Sequence, residues 1–199
     1  MSMYLNDYSS VFAACASRNT YGFHVEDWIY WRINQPPYPI QNSLIVATLG
    51  TLNSNYTYAL FRCPCDRDDT YRALEAANDG ANGSYNYSYS MTSYDLEGST
   101  CLGMASIKDN GGGWHPFKST RIKNPAKKIM LAEEQSVLRG PECSDPAGDI
   151  INDGRWVATG TDRLTSRHNK RADVGWADAH VSAVTWKFAQ DANNSRPDF

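Results

Sequence analysis

Four histidines, five cysteines and a few closely spaced carboxylates are the residues of this chain with chemistry to offer. His168 and His180 flank Asp178, and a His-Asp-His group can ligate a metal or relay a proton. The same side chains can equally knot a turn, with imidazole N–H and carboxylate satisfying backbone groups. No third histidine or fixed carboxylate ligand can be identified beside them, so the structural knot is the reading adopted. A metal-assisted hydrolase at His168, Asp178 and His180 stands behind it as an alternative. Glu133 and Glu134 invite a glycosidase reading with Asp178 or Asp153 as the second carboxylate. Adjacent strand residues face opposite ways, however, so the two glutamates cannot themselves be the pair; one solvated and one hydrogen-bonded carboxylate is expected. Asp66, Asp68 and Asp69 could contribute to a calcium loop, but the Gly and terminal Glu of an EF-hand are absent, and a solvated acidic turn is the simpler expectation. Cys63-Pro64-Cys65 is too tight and stiff for an easy mutual disulfide, and no second Cys or His pair stands at zinc-site spacing from it. The expectation is therefore no catalysis, no cofactor and no metal.

No phosphate loop, His-Glu-x-x-His, nucleophile elbow or dinucleotide fingerprint occurs in the sequence. With 19 Lys and Arg against 22 Asp and Glu the net charge is −3, which leaves no basic footprint for nucleic acid. At 199 residues the chain has the length of one domain, and no linker or internal repeat divides it. Aromatic residues make up 12% of the chain, including 12 Tyr and 6 Trp, in a background of Asn, Ser, Thr and Gly that suits turn-rich exported β structure. The odd cysteine number leaves at least one thiol unpaired, or paired with another chain, in an oxidising compartment. No apolar run approaches the ~20 residues that span a bilayer, and Met1 to Ser17 is not a signal peptide; the chain as it stands is expected to be soluble.

Several elements are positioned to carry these groups. Met1, Leu5, Tyr8, Phe12 and Cys15 recur at steps of four, three, four and three, which predicts an amphipathic helix over residues 1–17. That helix starts without a cap and so reads as the C-terminal part of something longer. Trp28, Tyr30 and Trp31 form an aromatic cluster. Ile40 to Leu52 reads as a helix capped by Ser43, and Thr70 to Asn78 as another. Ser84 to Met91 alternates aromatic and small polar side chains, as in a strand with its tyrosines on one face. Lys128 to Glu133 is a buried strand by its apolar run. Ala172, Val174 and Trp176, then Val181, Ala183 and Thr185, alternate on either side of Asp178-Ala179 and predict a β-hairpin. Ala stands at residue 179, where the tightest turns want Gly, so a looser turn or some strain is expected.

Arg167-His168-Asn169-Lys170-Arg171-Ala172-Asp173-Val174-Gly175-Trp176-Ala177-Asp178-Ala179-His180-Val181 resembles the signature of the bacterial prepilin-type, processing-associated H-X9-DG proteins. Nine residues separate His168 from Asp178. Further landmarks of that family follow in order. They are Met3-Tyr4-Leu5-Asn6-Asp7-Tyr8, Asn42-Ser43, Phe61-Arg62-Cys63-Pro64, the tyrosines from Tyr85 to Tyr89, and Ile122-Lys123-Asn124-Pro125 leading to Ala132-Glu133-Glu134. The resemblance covers nearly the whole chain. Two departures are Ala179 in place of the family's Gly, and the lack of the leader, the Gly-Phe-Thr-Leu-Ile-Glu-like processing site and the apolar helix with which the family begins.

The resemblance implies an α+β, pilin-like head: an N-terminal amphipathic helix packed on an antiparallel sheet, with long loops and a C-terminal hairpin. Residues 1–17 would be the C-terminal half of the pilin helix, packing through Met1, Leu5, Tyr8, Phe12 and Cys15, and residues 18–199 the sheet and loops. His168, Asp178, Ala179 and His180 would be structural motif residues that hold the hairpin. The implied function is a pseudopilin-like subunit of a type II secretion or type IV pilus-like filament. Its partners would be other pilin-like subunits and, through the helix of the full-length precursor, the inner membrane, with the head on the periplasmic or extracellular face. The rival expectation is an exported carbohydrate- or solute-binding module that uses Trp28, Tyr30 and Trp31 as exposed rings.

Overall fold

The structure is a computed structural model that describes residues 1–19, 22–50, 54–79, 81–93, 103–108 and 113–197. In chain order its helices and strands are α1 (Ser2–Asp7), α2 (Leu44–Ala47), α3 (Ser54–Phe61), α4 (Thr70–Asp79), β1 (Tyr89–Thr92), β2 (Ile107–Lys108), β3 (Trp114–His115), β4 (Ile129–Glu133), β5 (Arg155–Trp156), β6 (Ala172–Trp176), β7 (Val181–Val184) and α5 (Trp186–Ala189). The class is α+β. Five strands form an open sheet in the order β5-β1-β4-β6-β7, and β2 and β3 pair separately. Within the larger sheet only β1 and β5 run parallel. Among the described residues no helix is long and apolar enough to cross a membrane.

The ladder registers decide which side chains share a face. Met91 pairs with Leu131, Leu131 with Gly175 and Gly175 with Val181, so these four form one row across the first face. The second face carries Ala132 and Val174, which pack with Trp156, Leu164, Ala172, Trp176 and Ala189 into one core cluster. A larger cluster covers the β1 side of the first face and contains Tyr4, Phe12, Trp28, Phe61, Tyr85, Tyr87 and Met91. A register shift between Ile129 and Leu131 is the mark of a β-bulge, which bends β4 as it crosses between the two cores.

The N-terminal segment differs from the helix that its spacing predicts. Only Ser2–Asp7 is helical. Ser9 and Ser10 then take positive φ, 54° and 67°, and a helix cannot pass through two left-handed residues. Beyond them the chain is irregular, with Ala16 left-handed again at φ 58°, and threads the interior: Phe12 to Ser17 are all buried. Its backbone bonds outward instead of along itself, Phe12 N–H donating to the Phe117 carbonyl at 2.8 Å and Ala14 N–H to that of Glu26 at 2.6 Å. Small residues on both sides, Ala13, Ala14, Cys15 and Ala16, let neighbouring strands approach a segment that has no solvent face. Of the expected packing residues, Phe12 and Cys15 are buried from this segment, and Met1 and Leu5 pack partly against the core. Tyr8 is 42% exposed and Tyr4, at 3%, is the inward residue of α1.

Elsewhere agreement is closer. β4, α4 and the β6–β7 hairpin fall where the pattern predicts them. The expected helix over Ile40 to Leu52 is a 3₁₀ turn, Ile40–Asn42, followed by α2, and its last residues lie outside the described ones. Ser43 does not cap α2 through its side chain; its hydroxyl accepts from Tyr30 N–H at 2.9 Å and donates to the Ile40 carbonyl at 2.6 Å. The tyrosine strand is hydrogen-bonded as a strand only over Tyr89–Thr92. Tyr85 and Tyr87, buried, point into the first core from the extended approach to it.

Candidate functional site

The turn before β6 organises the most connected polar cluster. Asn169 and Lys170 both have positive φ, 53° and 64°. His168 and Arg171 exchange backbone hydrogen bonds across them, 3.1 and 3.2 Å. Asn accepts the left-handed region more readily than most residues, and the tight turn directs Arg167 and His168 toward the end of β4. Arg167 Nη1 lies 3.0 Å from Glu133 Oε1 and 3.3 Å from Asp66 Oδ2. His168 Nε2 lies 2.9 Å from Glu133 Oε2 and 3.5 Å from Cys63 Sγ. Asp173 N–H donates to Glu133 Oε2 at 3.2 Å.

Asp66 anchors the other end of the cluster. Arg72 meets it in a two-pronged pair, 2.9 and 2.5 Å, and the Ser88 and Ser136 hydroxyls donate to it at 2.6 and 2.9 Å. Burial by itself pushes this carboxyl up. The Arg72 hydrogen bonds and charge, helped by Arg167 and Ser88, outweigh burial and hold it at about 2. The three aspartates do not converge as a calcium loop would require. Asp66 faces inward, Asp68 Oδ1 accepts from Thr70 N–H at 2.9 Å at the start of α4, and Asp69 pairs with Arg62 at 2.7 Å and Arg72 at 3.1 Å. Guanidinium groups and a helix end take the oxygens that a cation would need.

His168 and Asp178 are not partners. They lie beyond opposite ends of β6, roughly 13 Å of strand apart from Ala172 to Trp176 alone. Asp178 instead pairs with its neighbour in the turn, Oδ1 being 2.5 Å from His180 Nδ1 and also accepting from His180 N–H at 3.2 Å. His180 stacks on Trp176, with ring centroids 5.3 Å apart. The motif thus consists of two separate ties, His168 to β4 before the hairpin and Asp178 to His180 within its turn. Ala179 has φ 77°, the strained left-handed residue that the missing Gly foretells.

Neither adjacent glutamate is solvated. Both are buried, on opposite sides of β4 as strand alternation demands. Glu133 meets Arg167 and His168, whereas Glu134 accepts from the Ser90 hydroxyl. Burial raises Glu134 well above the usual carboxylate range, with Asp162, Asp153 and Asp149 adding like charge. Asp153 is no free second carboxylate, since it accepts from Arg18 N–H at 2.6 Å and Arg155 N–H at 2.7 Å.

The aromatic cluster is interior. Trp28, Tyr30 and Trp31 are 1%, 6% and 5% exposed, so they present no platform to a sugar ring. Their polar atoms are committed: Trp28 Nε1–H to the Gly154 carbonyl at 2.9 Å, Trp31 Nε1–H to that of Ala16 at 3.0 Å, and the Tyr30 hydroxyl to that of Val25 at 2.7 Å. Arg18 and Arg32 sit over the Trp31 ring, 5.1 and 4.8 Å from its centroid. Gly154 is required here, because a Cβ would lie 2.8 Å from Ala16 Cβ and 2.9 Å from Trp28 Nε1.

The first face of the sheet carries an open apolar groove. The groove, of about 340 Å³, runs from Met1 past Ile45, Leu60 and Tyr89 to Leu131, Gly175 and Val181. Val181, at 70% exposure, stands at its outer edge. Asp173 also lines it, so the groove and the Glu133 cluster adjoin.

The convergence of Cys63, Glu133 and His168 escapes the residue-by-residue reading, which couples His168 to Asp178 by their nearness in sequence. The signal was nevertheless present: Phe61-Arg62-Cys63-Pro64, Ala132-Glu133-Glu134 and Arg167-His168 are three of the landmarks that carry the family resemblance, and the fold brings one member of each together. Their ligand atoms all lie within 4.8 Å of one another, a thiol, a carboxylate and an imidazole that can share one metal ion. Cys63, Cys65 and Cys143 are free thiols, Cys15 is buried in the first core, and Cys101 lies outside the described residues. No family model, curated protein or solved structure matches the chain.

Proposed function

We propose that this protein is a structural subunit, without catalysis, of a type II secretion or type IV pilus-like filament. The described chain is its pilin-like head, on the periplasmic or extracellular face, and an apolar helix of the full-length precursor anchors it in the inner membrane. The observation that carries this reading is the half-covered first face of the sheet. Its β1 side is filled by the N-terminal layer, while Leu131, Gly175 and Val181 line a groove that has Met1 at its edge. A helix leading into α1 would begin in that groove. Gly175 presents no side chain there, which leaves the helix room to approach the sheet closely. Fully burying one large apolar side chain such as Leu131 is worth ~1.5–3 kcal/mol, enough for a few such residues to hold a helix on the sheet. The remaining partners are neighbouring pilin-like subunits, packed through the same helix.

The coding sequence upstream of Met1 tests the reading. A short basic leader, a Gly-Phe-Thr-Leu-Ile-Glu-like processing site and an apolar stretch of ~20 residues are expected, and an upstream sequence that encodes none of these overturns it. In the 199-residue chain Val181→Asp should leave the melting temperature unchanged, because the side chain is exposed there, whereas in the full-length protein it should abolish filament incorporation measured by co-sedimentation.

A further inference from the structure

We propose that Cys63, Glu133 and His168 form a zinc site whose fourth position opens to solvent beside Asp173. The proposal does not depend on the filament reading. The three donors come from the segment after α3, the end of β4 and the turn before β6, far apart in sequence, and all reach one point. A tetrahedral zinc with bonds of about 2.3 Å to sulfur and 2.0–2.1 Å to nitrogen and oxygen holds S and N about 3.6 Å apart, and N and O about 3.3 Å apart. Sγ of Cys63 is 3.5 Å from Nε2 of His168, and the two Glu133 oxygens are 2.9 and 3.2 Å from the same Nε2. The donor set, one thiolate, one imidazole and one carboxylate, is within zinc's ordinary range.

The surroundings are built for such a site. Cys65 N–H donates to Cys63 Sγ at 3.4 Å, which stabilises a thiolate. Glu133 is held from both sides, by Arg167 on Oε1 and by Asp173 N–H on Oε2, and fixing a ligand carboxylate in this way is characteristic of metal sites. Cys63 and Glu133 are buried while His168 is 26% exposed, so an ion has a way in on the histidine side. The charge is accommodated as well. Arg167 is met by Asp66, Glu133 and Glu142, and Arg72 by Asp66 and Asp69; the one net positive charge added by a divalent ion that displaces the Cys63 proton therefore enters acidic surroundings, with the Asp173 carboxylate, Oδ2 3.8 Å from Nε2, facing it. Proton release to solvent makes affinity rise with pH.

A cysteine nucleophile activated by histidine does not fit the same geometry. Such a relay needs sulfur at one ring nitrogen and the carboxylate at the other, whereas both groups here reach Nε2.

Titration of the reduced, purified protein with Co²⁺, followed by displacement with Zn²⁺, tests the site. One ion per chain is expected, with the intense visible bands of tetrahedral cobalt and a near-ultraviolet sulfur-to-cobalt charge-transfer band. Cys63→Ser should remove the charge-transfer band and Cys65→Ser should keep it, and His168→Gln should weaken binding at least about tenfold. Absence of stoichiometric binding, or a band that survives Cys63→Ser or vanishes with Cys65→Ser, overturns the proposal. Should Cys63→Ser fail to fold, X-ray absorption on the zinc-loaded wild-type protein decides. One sulfur at about 2.3 Å with nitrogen and oxygen neighbours supports the site, and a shell without sulfur refutes it.

Discussion

Asp66 shows how a residue that reads as surface turn becomes a structural centre. Its neighbours Asp68 and Asp69 make residues 66–69 look like a solvated acidic turn, yet its carboxylate is buried between two arginines and two serine hydroxyls. Because folding lowers its pKa from the usual 3.8 to about 2, its stabilising contribution is present above about pH 4. That contribution, about 2 kcal/mol, is lost as pH falls through 2. Asp66→Asn leaves Arg72 and Arg167 without their shared counter-charge and should cost about 3–5 kcal/mol, measured as a lower urea midpoint at neutral pH. A loss below about 1 kcal/mol, the level of an exposed pair, would show that the arginines do not depend on this carboxylate.

At the scale of elements, the hairpin is the most predictable and the N-terminal segment the least. The β6–β7 alternation and its turn lie within one stretch of chain, so local pattern and local geometry agree. Ala179 N–H donates to the Trp176 carbonyl and Trp176 N–H to that of His180, both at 2.9 Å, with φ 77° at residue 179. A left-handed alanine costs roughly 1–2 kcal/mol, and Gly in its stead costs about 0.4–1 kcal/mol more in unfolded-chain entropy. Ala179→Gly should therefore raise stability by about 0.5–1 kcal/mol and be seen as a higher melting temperature; an unchanged or lower one would mean that the turn is not strained. Residues 11–17 had no such local arbiter. Apolar residues at helical steps and apolar residues on a strand buried on both faces produce overlapping patterns, and here partners distant in sequence, Glu26, Ser106 and Phe117, capture the backbone.

Across the whole molecule, three acidic groups, Glu134, Asp153 and Asp162, lie close enough to raise one another. Burial raises Asp162 to about 7, opposed by Val157 N–H and reinforced by Asp153 and Asp149. Burial raises Asp153 as well, against Arg18 N–H and Arg155 N–H, and raises Glu134 further. A carboxyl whose folded pKa lies above its unfolded value favours the native state fully below the unfolded value and less as pH rises through the folded one. For Asp162 that window runs from about pH 4 to 7 and spans about 4 kcal/mol. Asp66 works in the opposite sense below it. Chemical denaturation across pH should accordingly find maximal stability near pH 4 and a decline toward neutrality, which Asp162→Asn should flatten; a profile that rises steadily to pH 7 would contradict the burial of these acids in their protonated form.

By itself the sequence determined what depends on near neighbours: the apolar run of β4, the alternation of β6 and β7, the helix α4, the irregular turn at Ala179, and the opposite facing of Glu133 and Glu134. Only the tertiary structure decided that residues 12–17 run as a buried, non-helical segment, that Trp28, Tyr30 and Trp31 are core, and that His168 belongs with Cys63 and Glu133 and not with Asp178. The division has one physical reason. Periodicity and turn chemistry are set by interactions a few residues long, whereas a buried polar group takes whichever partner the sheet order brings to it, and the order β5-β1-β4-β6-β7 is a product of the assembled core.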